Sequence, residues 1–171
     1  LLDYARERPL APGRVTLDAV ARRGVALAQA GRDLPGPNVS VDVPEGIEFE
    51  ADADQVERVL SNLVQNAMEA AGATAGARVR ISGRAAREGV EVVVEDSGPG
   101  IPDGLADRLF EPFVTGRIHG VGLGLAIASR IVEAHGGTLR AGSSADLGGA
   151  RFEVRLPAVP RPAGPRQGGN P

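Results

Sequence analysis

Residues 96–125 read DSGPGIPDGLADRLFEPFVTGRIHGVGLGL, and the rest of the chain is organised around this run. Two glycine clusters, Gly98 with Gly100 and Gly120 with Gly122 and Gly124, bracket a polar loop, and a helical pattern begins directly after the second. Upstream, Val90, Val92 and Val94 alternate with Glu91 and Glu95, the period of a strand with one apolar face, so Asp96 arrives at a strand end. Gly98 and Gly100 around Pro99 suit a tight turn that a ligand can approach closely. A carboxylate fixed there can accept a hydrogen bond from an exocyclic amine, which adenine has and guanine lacks at the matching position. Taken alone, DSGPG fits an ordinary Asx turn equally well.

After the second cluster, Leu123, Ile127, Ile131 and Ala134 recur at helical spacing, which predicts an amphipathic helix. The unpaired amides of its first turn, at the positive end of the helix dipole, suit an anion such as a triphosphate. Glycines there let phosphate oxygens reach the backbone. The pattern is neither of the two familiar phosphate turns: it does not follow a strand, as a dinucleotide-binding turn does, and it lacks the GK[ST] ending of a P-loop.

A third stretch supplies what those two lack. In DADQVERVLSNLVQNAMEAAG, which begins at Asp52, the residues Val56, Val59, Leu60, Leu63 and Ala67 form one apolar helical stripe, while Asn62, Asn66 and Glu69 share an adjoining face. Asn costs roughly 0.6 kcal/mol against Ala inside a helix, so two of them one turn apart invite an explanation. Their side-chain oxygens can point into one pocket and hold a hydrated Mg2+ with phosphate oxygens. A solvated polar face would read the same way. Only the three stretches in this order select between these readings.

The set NLVQNA, DSGPGIP, FEPF and GVGLGLAI resembles the N, G1, F and G2 boxes of sensor histidine kinases, within the ATPase superfamily that includes gyrase, Hsp90 and MutL. The resemblance covers about residues 10–157 and implies ATP and Mg2+ as cofactors. It places Asn66 on Mg2+, Asn62 at the phosphate site and Asp96 on the adenine amine. Gly98 and Gly100 would shape the adenine end, and Gly122 and Gly124 would cradle phosphates, with Gly120, Leu123 and Leu125 in the same nucleotide-binding run. Phe110 and Phe113 would anchor a lid over about residues 101–120. Arg117 is the candidate cationic contact to the terminal phosphate.

Two positions depart from the pattern: Glu69 stands where many relatives carry Lys, and Val121 where Thr or Ser is usual. A third bears on the reaction. Hydrolases and serine kinases of the superfamily usually carry, four residues before the Mg2+ Asn, a Glu that activates the attacking group; here it is Asn62, whose amide cannot take a proton at neutral pH. That favours transfer to an already nucleophilic imidazole. The implied function is the catalytic, ATP-binding domain of a sensor histidine kinase, which passes the γ-phosphoryl of Mg-ATP to a His on a dimerisation hairpin and then to an Asp of a response regulator. Alternatives are a conformational ATPase of the gyrase kind, or a degenerate nucleotide-binding regulatory domain.

The chain has 171 residues, enough for one domain with a real core, and a formal charge of -3 that gives no reason to expect nucleic acid. It has no Cys and no HExxH, so thiolate and zincin sites are excluded. All 19 basic residues are Arg. No run of about 18 apolar residues occurs and Leu1 begins without Met, so the expectation is an excised soluble fragment. The resemblance implies a cytoplasmic domain of a homodimeric parent kinase, the fragment itself being monomeric.

Residues 1–9 read as the end of a hairpin helix stopped by Pro9. Thr16 is placed to cap a helix with Leu17, Val20, Ala21, Gly24 and Leu27 inward, ending near residues 30–31. Strands are expected at 39–43, 47–50, 78–83, 90–96, 138–141 and 150–156, the last with Phe152, Val154 and Leu156 inward and Arg151, Glu153 and Arg155 outward. One apolar and one charged face predict a two-layer α/β sandwich, a mixed sheet covered on one side by about three helices. Its arginine face reads as solvated. Residues 101–119 look aperiodic, with His119 in solvent. His135 sits at a helix C-terminus, where a cation complements the dipole. Neither His lies in a phosphoacceptor-type sequence. Residues 158–171 read as a disordered Pro/Gly-rich tail.

Overall fold

The computed structural model describes residues 9–32, 36–114 and 122–161. Along the chain run β1 (Gly13–Thr16), α1 (Leu17–Gln29), β2 (Asn38–Asp42), β3 (Glu48–Ala51), α2 (Ala53–Ala71), β4 (Arg78–Ala86), β5 (Gly89–Asp96), α3 (Gly124–Ala134), β6 (Thr138–Ser143) and β7 (Ala150–Pro157). A 3-10 turn at Ala106–Arg108 lies between β5 and α3. None of the described helices is long and apolar enough to cross a membrane.

Five strands form a mixed sheet in the order β2-β4-β5-β7-β6, parallel only between β2 and β4. Its even-numbered β5 residues, Val90, Val92 and Val94, join Val79 and Ile81 of β4 and Phe152, Val154 and Leu156 of β7 in the core. Three helices cover that face: α2 lies over β4 and β5, with α1 and α3 on its flanks. The result is the expected two-layer α/β sandwich. β2 and β3 follow each other in sequence but belong to different sheets, because β3 pairs instead with β1, a strand that the sequence did not suggest. Thr16 accordingly ends β1 opposite Glu48, with an extended backbone, and its side chain makes no capping bond to α1.

The two flanking helices present arcs slightly rotated from those expected. In α1 the buried set is Leu17, Val20, Ala21, Gly24, Val25 and Ala28, a strict i, i+3, i+4 series; Leu27 lies off it and is 50% exposed. In α3 the core is met by Leu125, Ala128, Ile131 and Val132, while Leu123 and Ile127 remain half-buried outside it. Gly24 explains how close α1 comes to α2: a Cβ built on it would lie 2.7 Å from the Cβ of Leu60.

The sheet's other face is an ion-pair lattice. Glu91 takes Arg84 on one side and Arg155 on the other, and Glu95 takes Arg80, so both carboxylates are nearly buried beneath guanidinium groups. The hydrogen bond from Arg151 holds the Glu153 carboxyl below the usual range. The reading of a merely solvated face is thereby refined: Val93 is buried on this side, outside the main core, and lines one hollow with Arg80, Arg84 and Arg151.

His135 ends α3 as expected, but not as the cation that the helix dipole suggested. It is 1% exposed. Its Nδ1 lies 2.8 Å from the Ile131 carbonyl oxygen and its Nε2 accepts the Asp52 backbone N–H at 3.1 Å. A carbonyl cannot donate and an amide N–H cannot accept, so the proton sits on Nδ1 and the ring is neutral. Asp52 in turn caps α2 through the Gln55 N–H and accepts the Ala11 N–H. The tail's first residues are held as well, against expectation: Ala158 bonds Glu88 and Glu50, and the Arg161 N–H reaches the His135 carbonyl.

Two stability tests follow from these contacts. Gly24→Ala should lower stability by about 1–2 kcal/mol despite the better helix propensity of Ala, because the new methyl meets a β-carbon and not a movable side-chain tip. A urea midpoint that rises would mean that α1 and α2 are not in contact here. His135→Phe keeps the bulk but removes the ring acceptor of the buried Asp52 amide, and should cost about 1–3 kcal/mol, read as a lower melting temperature.

Candidate functional site

Strand alternation delivers Asp96 to the helix-facing side of the sheet, in phase with Val90, Val92 and Val94, and it is 0% exposed. Its Oδ1 accepts the Gly98 N–H at 2.8 Å and the Ala150 N–H at 3.2 Å. The turn that follows is pressed onto α2: a Cβ on Gly98 would lie 2.6 Å from the Ala70 carbonyl oxygen, so only glycine fits. Gly100 has φ 83, the left-handed conformation that glycine adopts without strain. Ala70 is one turn beyond Asn66, which is one turn beyond Asn62, so both Asn residues and Asp96 lie on the same side of the sheet.

At the other end of α2's polar face, Asn62 meets the start of α3. A Cβ built on Gly124 would be 3.8 Å from Asn62 Cγ and Oδ1. Asn62 Nδ2 is buried and has no hydrogen-bond partner among the described residues. The α3 N-terminus has no side-chain cap and no acidic residue in its first turn, whereas α2 has Asp52 as cap and Asp54 behind it. An orphaned buried donor beside an uncapped helix start is an arrangement that an anionic oxygen completes. Leu123 and Leu125 flank Gly124, half-buried on either side of it.

The run between β5 and α3 is pinned differently from what was expected. Phe110 packs against the core, but Phe113 is 63% exposed with φ 63 and anchors nothing there. Ile101, Leu105 and Leu109 supply the missing grip at intervals of four, a periodicity that the sequence reading passed over. The Phe113 N–H bonds the Gly122 carbonyl at 3.0 Å, so the segment returns to its own base just before α3. A Cβ on Gly122 would lie 2.8 Å from the Val114 carbonyl oxygen. Arg117 and Gly120, together with His119 and Val121, lie outside the described residues.

Gly149 and Ala150 were not among the expected site residues, Ala150 being only the start of the expected strand 150–156. The antiparallel register that pairs Glu95 with Arg151 brings them beside Asp96. The Gly149 N–H bonds the Asp96 carbonyl, and any Cβ on Gly149 would collide with the Asp96 carboxylate. The GG doublet was a visible signal; its target required the register.

Residues 51–160 match the family described as histidine kinase-, DNA gyrase B-, and HSP90-like ATPase. The sensor protein KdpD of Escherichia coli (strain K12) is 36% identical over an alignment 171 positions long that covers 95% of this chain but 18% of KdpD, so the chain spans less than a fifth of that relative. The crystal structure of histidine kinase ThkA in complex with response regulator protein TrrA aligns with a TM-score of 0.75 at 30% identity, over 93% of this chain and 45% of that one. Full-length ShkA in complex with AMPPNP aligns with a TM-score of 0.72 at 31% identity, over 93% and 33% of the two chains. With the model matched from β3 through the held start of the tail, and with the fold shared by solved histidine kinases, the chain belongs to the histidine kinase-, DNA gyrase B- and HSP90-like ATPase family.

Proposed function

We propose that this chain is the ATP-binding catalytic domain of a sensor histidine kinase. The observation that supports it best is the alignment, on one side of the sheet, of a fully buried carboxylate, Asp96, with the orphaned donor of Asn62 beside an uncapped helix start. Asp96 would accept the adenine amine, while Gly98 and Gly100 let the base lie against the backbone. Asn62 Nδ2 and the first amides of α3, with Gly122 and Gly124 nearby, would receive the phosphates. Leu123 and Leu125 would line that end, and Phe110 would steady the lid whose Arg117 meets the terminal phosphate.

Among the described residues no cluster of three His, Cys, Asp or Glu could hold a metal, so a divalent ion here would share its ligands with the nucleotide. Asn66 offers a hard amide oxygen suited to Mg2+, and that ion would neutralise charge on the transferring phosphoryl group. Asn62 is no base, so the chain places and compensates charge and does not activate water. The acceptor would be an imidazole on the parent's dimerisation hairpin: the bond from the γ-phosphorus to its bridging oxygen breaks, a P–N bond forms, and ADP leaves. A response regulator, such as the one bound to ThkA, would take the phosphoryl group next, and the parent would act as a homodimer with this domain in the cytoplasm.

The test is to mix the chain with labelled ATP, Mg2+ and a separately made phosphoacceptor hairpin from its parent. Acid-labile, base-stable label on the hairpin is expected. ATP binding without transfer would mean a degenerate regulatory domain, and hydrolysis without the hairpin would mean a conformational ATPase. Asp96→Asn should weaken ATP binding by about 2 kcal/mol, roughly 30-fold, as a buried charged acceptor is lost. Calorimetry giving an unchanged dissociation constant would remove the adenine assignment.

A further inference from the structure

Glu95 and Asp96 are adjacent on β5 and therefore point to opposite faces of the sheet. One short loop, residues 144–149 between β6 and β7, is fastened to both. On the ion-pair face, Ser144 Oγ donates to Glu95 Oε1 at 2.8 Å, and Glu95 Oε2 accepts from Arg80 Nη2 at 2.6 Å and Nε at 3.1 Å. Arg80 Nη2 also donates to Asp146 Oδ2 at 2.6 Å. Inside the loop, the Leu147 N–H bonds Ser144 Oγ, the Gly148 N–H bonds the Ser144 carbonyl, and the Ser144 N–H bonds the Gly149 carbonyl. On the helix face, the loop's far end gives the Gly149 N–H to the Asp96 carbonyl, and the next residue, Ala150, gives its N–H to Asp96 Oδ1.

We propose that this loop, bolted through Ser144 and Arg80 to Glu95, is the positioning element that aims the Asp96 carboxylate at the base, so that base selectivity is set partly from the reverse face of the sheet. The inference rests on the adenine reading given above. Gly149 has no side chain because the space belongs to the carboxylate, and a loop that shifted by a few tenths of an ångström would carry the Ala150 amide with it. Ser144 is 3% exposed and Glu95 6%, so their bond is shielded from water, whereas the Asp146 side chain is 66% exposed. An exposed pair contributes little and is screened by salt, so Ser144 is the bolt that matters and Asp146 the lesser one.

The test compares two nucleotides, ATP and the triphosphate of purine riboside, which lacks the exocyclic amine. Ser144→Ala is expected to weaken ATP binding by about threefold to tenfold and leave the amine-free analogue unchanged, so that the ratio of the two constants shrinks. Ser144→Thr, which keeps the hydroxyl, should restore the ratio, and Asp146→Asn should change it by less than about twofold. Where Ser144→Ala does not fold, Glu95→Gln carries the same comparison at constant side-chain volume. Equal weakening of both nucleotides, or no change in either, overturns the proposal, since a merely structural loop would behave that way. Asp96→Asn separates the two layers of inference. If it leaves the ratio intact, the adenine reading falls and this proposal with it; if it collapses the ratio while Ser144→Ala does not, only the loop's role is lost.

Discussion

A carboxylate with no solvent exposure is the constraint to which the rest of the molecule answers. Taking Asp96 out of water costs several kcal/mol unless the charge is met by donors, and two backbone N–H groups on Oδ1 are part of that compensation. Each donor imposes a condition. The Gly98 amide can reach back only if the chain turns at once, and the turn then lies so close to Ala70 that no side chain fits. The Ala150 amide is available only if β7 runs antiparallel beside β5 in one register, with a glycine just before it. Strand order, turn composition and helix placement thus converge on one charged group.

α2 is the part that carries this convergence across the domain. Its Gly24-bearing neighbour α1 approaches on one flank and α3 on the other, while its own C-terminal turn backs the loop after Asp96. At its N-terminus, Asp52 and His135 join it to the C-terminal end of α3 and to the chain before β1. One end of the α2–α3 pair is consequently fixed by the buried Asp52–His135 hydrogen bond, while at the other Asn62 lies beside Gly124. A hydrophobic interface alone would allow the two helices to slide; the buried hydrogen bond opposes that.

Much of this could be read from residue order alone. Period-two alternation located every strand of the large sheet, and the Asn62–Asn66 spacing marked the polar face of α2, because both depend on local geometry. What escaped depended on partners distant in the chain. β1 has too few residues to show a period and exists because β3 completes it. Thr16 has the residue type of a cap but is occupied as a strand end. Phe113 stood as a lid anchor only through the resemblance of FEPF, yet Ile101, Leu105 and Leu109 take the core positions. His135 looked like a helix-end cation until the Asp52 amide supplied a donor that only a neutral ring can accept.

The contrast between the two helix starts follows from the same logic. α2 begins with a capping carboxylate and a second acid, which satisfy its amides and its dipole internally and leave that end closed to anions. α3 begins with Leu123 and Gly124, whose side chains offer neither oxygen nor charge, and it faces an amide nitrogen that finds no acceptor among the described residues. Leaving such donors unmet has a cost in stability. An incoming phosphate would offset it, and binding energy would then come from groups already fixed in place, without reorganisation of the helices. On the proposed reading the same economy would apply at the Asp96 end, where the carboxylate is held before any base arrives. The described part of the connection between β5 and α3 is anchored by the same logic, its base pinned by aliphatic side chains and by the Phe113–Gly122 bond.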